Sequence, residues 1–104
     1  MDWKQPRNKQ LIEALLALNT ADEAQRFLRD LMTEGEIEEF AKRLQAAEML
    51  QDNTSYTVIK KETGLSSTTI ARVSKWLQGE LGGYRLVMDR LHHHASASRG
   101  RGVR

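Results

Sequence analysis

The chain has 104 residues, 39% apolar and 29% charged, with no cysteine. That length makes one domain with a thin stability margin, since a chain this short buries only about 60–70% of its unfolded surface. The absent cysteines exclude disulfides, thiol nucleophiles and thiolate metal sites.

The formal net charge of +2 belongs to the end of the chain. Arg99, Arg101 and Arg104 lie beyond residue 94 with no acid among them, and residues 1–94 are close to neutral. Leu11, Ile12, Leu15 and Leu16 form one helical stripe between Pro6 and Leu18. The longest apolar run, Ala14 to Leu18, is too short to span a bilayer, and no basic-then-apolar leader precedes it. We therefore expect a cytoplasmic, nucleoid-associated bacterial protein with no membrane partner. Trp3, ahead of this helix, is either a staple onto a partner chain or a residue of a loose end. Thr20 and Glu23 have the spacing of a capping box, followed by a helix that buries Phe27, Leu28 and Leu31. Thr33 and Glu36 repeat the signature and open a longer helix with Ile37, Phe40, Ala41, Leu44 and Ala47 on one side. Glu34, Glu36, Glu38 and Glu39 crowd its first turns, where the helix dipole favours negative charge.

Asp52-Asn53-Thr54 ends that helix, and Ser55 caps a short one reaching Thr63. Gly64 stops it, and Leu65, Ser66 and Ser67 lead into a helix carrying Ile70, Val73 and Leu77. Gly79, Gly82 and Gly83 punctuate before a last helix from Tyr84 to about His93, with Leu86, Val87 and Leu91 to bury. From Ala95 onward, Ala, Ser, Gly and Arg alternate with no core former until Val103, which predicts a disordered basic tail over 95–104 behind a domain over 1–94. The fold class is all-α, with about six helices.

The informative stretch runs from Tyr56 to Gln78. A short helix, a glycine turn and a second helix form a helix-turn-helix. Gly64 supplies the positive φ, Ile59, Leu65, Ile70 and Val73 bury the inner angle, and Ser66 or Ser67 caps the second helix so that its N–H groups can face a phosphate. At about 100° per residue, Thr68, Ala71, Arg72 and Lys75 fall opposite Ile70, Val73 and Leu77. Hydroxyls, a methyl and two cations suit a major groove, with Thr69 beside them and Lys60 and Lys61 placed for backbone phosphates. Residues 56–79 hold four cations against one acid, whereas residues 30–52 hold two cations against seven acids. That polarity is an electrostatic footprint for double-stranded DNA. The alternative is an ordinary αα-corner with a solvated basic face.

Met32-Thr33, an acidic helix with Arg43, and then KKETGLSSTTIARVSKWL over residues 60–77 resemble the Trp repressor superfamily. The likeness is greatest to its Trp-repressor-related YerC/YecD group, whose pattern includes TG-L-S-S-T-I-x-R-V at this place. It covers roughly Leu11 to Leu91 and is strongest over Thr63–Leu77. The resemblance implies an all-helical, intertwined homodimer and a sequence-specific transcriptional regulator, repressor-like, on a palindromic operator. It also implies a corepressor pocket, whose threonine and arginine around the central helix look like Thr33 and Arg43. The pocket's recognition-helix pair looks like Thr69 and Arg72. Where the Trp repressor has glycine and serine, this chain has Val73 and Trp76. Two bulky residues in that space predict DNA binding without tryptophan as corepressor, the Trp76 indole lying against the guanidiniums of Arg72 and Arg43.

No other constellation competes. His92, His93 and His94 point three ways on a helix, with no carboxylate or thiol to complete a metal site. Glu34/Glu38 and Glu48/Asp52 are ordinary surface pairs, and Met32 and Met49 are core fillers. No catalytic residue, cofactor or metal is expected, so the chain does not read as an enzyme. The competing function is a helical protein–protein module that kept the fold without operator binding, with the acidic central helix as its surface.

Overall fold

The computed structural model describes residues 1–102, with side chains as far as His93. Six helices follow in order: α1 (Pro6–Leu16), α2 (Ala21–Leu31), α3 (Glu34–Gln51), α4 (Tyr56–Thr63), α5 (Ser67–Gln78) and α6 (Gly83–Gly102). Among the described residues there is no strand. The chain divides into two units, Met1–Glu38 and Glu39–Arg104.

In the first unit, Pro6 opens α1 at a position where its missing N–H is harmless. The helix closes at Leu16, two residues before the end expected from periodicity. Thr20 caps α2 by accepting from the Glu23 N–H at 3.2 Å, while the Glu23 carboxylate accepts from the Asn19 N–H at 2.9 Å. At the start of α3 the reciprocal box is complete. The Glu36 N–H donates to Thr33 Oγ1 at 3.1 Å, and the Thr33 N–H donates to Glu36 Oε1 at 2.9 Å. Hydrogen bonding to the Glu36 carboxylate, from the Thr33 backbone N–H first and its side chain second, holds that carboxyl below its ordinary pKa. No residue of α1 or α2 is buried, and Leu11, Ile12, Leu15, Leu16 and Leu31 are all exposed.

The second unit has a core. Ala46, Ala47, Ile59, Leu65, Ile70, Val73, Leu77 and Met88 are buried together, with Leu44, Met49, Leu50 and Tyr84 packed against them. α3 ends as a Schellman motif: Asn53 takes φ 60°, its N–H donates to the Leu50 carbonyl at 3.1 Å, and the Thr54 N–H donates to that of Met49 at 3.0 Å. Ser55 then caps α4 from the Val58 N–H at 3.3 Å.

The α4–α5 turn is closed by a side chain. Gly64 adopts φ 73° and donates to the Lys60 carbonyl at 2.8 Å. Thr63, a buried polar residue, donates from Oγ1 to the Ile59 carbonyl at 2.7 Å and accepts from the Leu65 N–H at 3.2 Å. One hydroxyl thus links a carbonyl of α4 to the first amide beyond the glycine, which the buried turn would otherwise leave unpartnered.

α6 departs from expectation in two respects. Its buried residue is Met88, 1% exposed, with Tyr84 one turn earlier, whereas Leu86, Val87 and Leu91 remain 46–52% exposed. Apolar residues occur on both sides of this helix, and periodicity alone does not say which side meets the chain's own core. The helix also runs on through 95–102 instead of ending near His93. Ala95 and Ala97 are strong helix formers, and propensity carries the backbone past the last apolar residue. The side chains of the expected basic tail, and Val103 and Arg104 altogether, lie outside the described residues.

Two measurements check these local constraints. Gly64→Ala should cost about 1–2 kcal/mol in urea unfolding, because a Cβ is strained at this φ although nothing crowds it. Thr63→Val should cost about 1–3 kcal/mol by leaving the Leu65 N–H unpartnered. The Thr33–Glu36 box should also be visible in pH dependence. A lowered folded pKa stabilises above the ordinary glutamate value of about 4.3 and loses that contribution as pH falls through the folded value. Glu36→Gln, which removes the titrating group, should therefore flatten the acid limb of the stability curve, as measured by thermal melts between about pH 2.5 and 5.

Candidate nucleic-acid interface

The α4–turn–α5 unit sorts its residues by the geometry just described. Ile59, Leu65, Ile70 and Val73 close the inner angle and are 0–4% exposed. The opposite face of α5 presents Ser67, Thr68, Ala71, Arg72 and Lys75 to solvent, and the end of α4 presents Lys60 and Lys61. The ion pairs among the described residues engage Arg26, Arg29 and Arg43, with the His92 ring facing Glu48, and none of them engages Lys60, Lys61, Arg72 or Lys75. Four cations on one side of a helix pair make a positive surface that a phosphate backbone can neutralise.

Ser66 and Thr69 have a different task. The Thr69 N–H donates to Ser66 Oγ at 3.1 Å, and Ser66 Oγ donates to Thr69 Oγ1 at 3.0 Å. Both hydroxyls are engaged in the cap of α5, and Thr69 is half-buried. The first free amides of α5 are therefore flanked by Ser67 and Thr68.

The residues matched to a corepressor pocket fall in both units. Thr33 lies in the first unit, engaged in the α3 cap. On α5 the strip Thr69, Arg72, Val73, Trp76 splits: Val73 joins the core, Arg72 is exposed, and Trp76 sits at the edge, 47% exposed. The cation over the Trp76 ring is Arg43 of α3, at 5.9 Å from the centroid, and the same guanidinium lies 5.4 Å from that of Phe40. Arg72 takes no part in this stack, contrary to the expectation that both arginines meet the indole; its guanidinium stays in solvent. Glu39 accepts from Arg43 Nε at 3.3 Å, one turn back on α3, and steadies the group. Tyr84 is close enough for the Arg43 charge to act on it, although burial wins and pushes its phenol upward. An apolar groove beside the stack is lined by Leu44, Trp76, Leu81, Gly83, Tyr84 and Val87.

Sequence reasoning did not reach several of these partners. Phe40 stands three residues before Arg43, a helical spacing that gave a usable signal. Tyr84 and Arg85 approach only because the Leu81–Gly82 turn folds α6 back, and no local pattern announces that. Arg85 donates through Nη1 to the Leu77 carbonyl and through Nη2 to the Gly79 carbonyl at 2.9 Å, at the C-terminal end of α5. His92, from the histidine run, pairs with Glu48 of α3 at 3.4 Å. No group of three metal-ligating side chains occurs among the described residues, nor is any described helix long and apolar enough to cross a membrane.

The chain is similar to known proteins in sequence and in fold. The chain is 39% identical over 82 residues to the uncharacterized protein YerC of Bacillus subtilis (strain 168), covering 79% of each. A crystal structure of a TrpR-like protein from Eubacterium eligens superposes with a TM-score of 0.82 at 37% identity, over 86% of this chain and 93% of that one. A candidate Trp repressor from Staphylococcus aureus gives the same TM-score at 33% identity, over 88% of this chain and 95% of the other. Residues 7–92 match the family described as Trp repressor protein, and on that match and these identities the chain belongs to the Trp repressor family.

Proposed function

We propose that the protein is a homodimeric, sequence-specific DNA-binding transcriptional regulator, repressor-like, that reads a palindromic operator with α5. The observation that carries this reading is the basic face on the α4–α5 pair, whose cations enter no ion pair among the described residues. With α5 in the major groove, Thr68, Ala71 and Arg72 reach base edges, Lys75 and the α4 lysines Lys60 and Lys61 meet phosphates, and the capped start of α5 adds backbone N–H groups. Ser66 and Thr69 act through the cap, and Ser67 lies beside the amides. The dimer is supported by apolar side chains that one chain leaves in water: Leu11, Ile12, Leu15 and Leu16 on α1, and Leu86, Val87 and Leu91 on α6.

Operation without tryptophan is the second part of the proposal. Trp76 stacked on Arg43 supplies from within the chain an indole–guanidinium contact of about 0.5–2 kcal/mol, and Val73 fills core space that a glycine would leave open. Thr33, Arg43, Thr69, Arg72, Val73 and Trp76 are then the remnant of a pocket rather than a working one. No cofactor enters this scheme, and no catalytic step is assigned to the chain.

Selection of bound duplexes from random-sequence DNA, followed by gel shift, tests the first part. Lys75→Ala should weaken all duplexes alike and reduce the salt slope by about 0.9. Thr68→Ala should relax preference at one position, at a cost of about 1–3 kcal/mol on the selected duplex. Failure of any duplex to bind at low salt would favour the protein–protein reading instead.

L-Tryptophan tests the second part. Calorimetry should register no binding, and the affinity for the selected duplex should be the same with and without the amino acid. Trp76→Ser should lower that affinity several-fold. A tightening of about tenfold by tryptophan, the scale of ordinary allosteric coupling, would overturn this part.

A further inference from the structure

The C-terminal end of α5 is held by a side chain that does not belong to it. Arg85 stands in the first turn of α6. Its two terminal nitrogens donate to two carbonyls at the end of α5, those of Leu77 and Gly79, the second at 2.9 Å. Only the last four carbonyls of a helix lack partners in the helix, and a guanidinium is the one side chain whose donors form a rigid planar fork. Its charge also opposes the negative end of the helix dipole.

The turn is shaped around this fork. Gly82 adopts φ 67°, where only glycine is comfortable, and a Cβ there would come within 3.1 Å of Arg85 Nη2. Glycine is therefore favoured by the backbone, and a side chain there would also displace the guanidinium by a few tenths of an ångström. The Leu86 N–H then donates to the Gly82 carbonyl at 2.9 Å and starts α6.

α6 has no need of Arg85 to reach the core, because Met88 is buried there and Tyr84 packs beside it. Those contacts are apolar and non-directional, and they constrain the rotation of one helix against the other less sharply than hydrogen bonds do. A two-pronged fork sets the rotation as well. The opposite consequence lies on the outer side of α6, where Leu86, Val87 and Leu91 are half-exposed.

We infer that Arg85 is a positioning residue, which fixes the orientation of the recognition helix α5 relative to α6. Resting on the reading proposed above, in which α6 contributes to the dimer surface, it thereby sets the spacing of the two half-sites that the dimer accepts. Charge alone is insufficient for this role; the fork is what carries it.

The test uses the full chain, with Arg85→Met, which keeps the aliphatic stem, and Arg85→Lys, which keeps the charge without the fork. Amide hydrogen exchange is read first, without DNA. Arg85→Met should accelerate exchange at the end of α5, around Leu77 to Gly79, by about tenfold, the loss expected for a charge-assisted hydrogen bond. Amides near Ile59 and Ile70 should keep wild-type rates. The second readout is binding to the duplex that the wild-type protein selects from random DNA, and to versions with the half-sites one base pair closer or further apart. Wild type should discriminate among the three spacings. Arg85→Met should lose that discrimination while binding random duplex as before, and Arg85→Lys should recover thermal stability without recovering the discrimination. Unchanged exchange at the end of α5, or acceleration spread evenly over α4 and α5, would overturn the inference. So would a variant that loses the fork and keeps wild-type spacing preference. If the wild-type protein selects no duplex, the DNA-binding reading fails, and the exchange pattern alone decides whether Arg85 orients α5.

Discussion

The direction of every exposed group on α5 depends on a turn of three residues, Thr63, Gly64 and Leu65. The backbone must reverse within that space, and the reversal leaves the Leu65 amide with no helical partner in a buried place. The Thr63 hydroxyl accepts from it while donating back to the Ile59 carbonyl of α4. Gly64 provides the left-handed step that brings the amide within its reach. With the turn fixed, Ile59 and Ile70 meet on the inside. Thr68, Ala71, Arg72 and Lys75 are then on the outer side by helical geometry. A basic face is common on helices; a basic face with a fixed direction requires such a turn.

α5 is anchored along its whole length by three kinds of force. The Ser66 cap holds its start through hydrogen bonds to Thr69. Ile70, Val73 and Leu77 hold its middle by burial, at about 1.5–3 kcal/mol for each large apolar side chain removed from water. Its end is held by the Arg85 fork and by Trp76 against Arg43. The hydrogen bonds are directional and the burial is not, so the ends set orientation while the middle supplies most of the free energy. This division explains how a second unit with so few fully buried residues presents a defined face.

The helices were legible in the sequence because their ends are written in local chemistry. Thr20, Thr33, Ser55 and Ser66 all cap the helices that follow them, and Gly64 ends α4, as their spacing predicts. The inner angle of the helix-turn-helix was equally readable, since Ile59, Leu65, Ile70 and Val73 recur at helical spacing on each side of the glycine. What could not be read depended on long-range placement. Met88 rather than Leu86, Val87 or Leu91 enters the core, because the choice between two apolar faces of α6 belongs to the partner surface and not to the helix. Arg72 and Arg43 were equivalent candidates for Trp76 by sequence. Only the packing of α3 against α5 selects Arg43, and only the reversal at Gly82 brings Arg85 to the end of α5.

The arrangement at Trp76 has a thermodynamic consequence for regulation on the reading proposed here. A ligand shifts an equilibrium only by its differential affinity for two states, and it needs a second state to act on. An indole supplied by the chain itself is present at a fixed, high effective concentration and is never diluted away. It competes with any free indole for the same face of Arg43, and it needs no association entropy to arrive. Val73 adds to this by occupying core volume that would have to be vacated, since close-packed interiors do not yield a methyl-sized space cheaply. The pocket residues Arg43 and Thr69 can therefore persist for structural reasons, one stacking the indole and the other closing the α5 cap, after any ligand role has been lost. A regulator built in this way responds to its own concentration and to the salt around its operator, because phosphate neutralisation and dimer assembly are the equilibria left open to it.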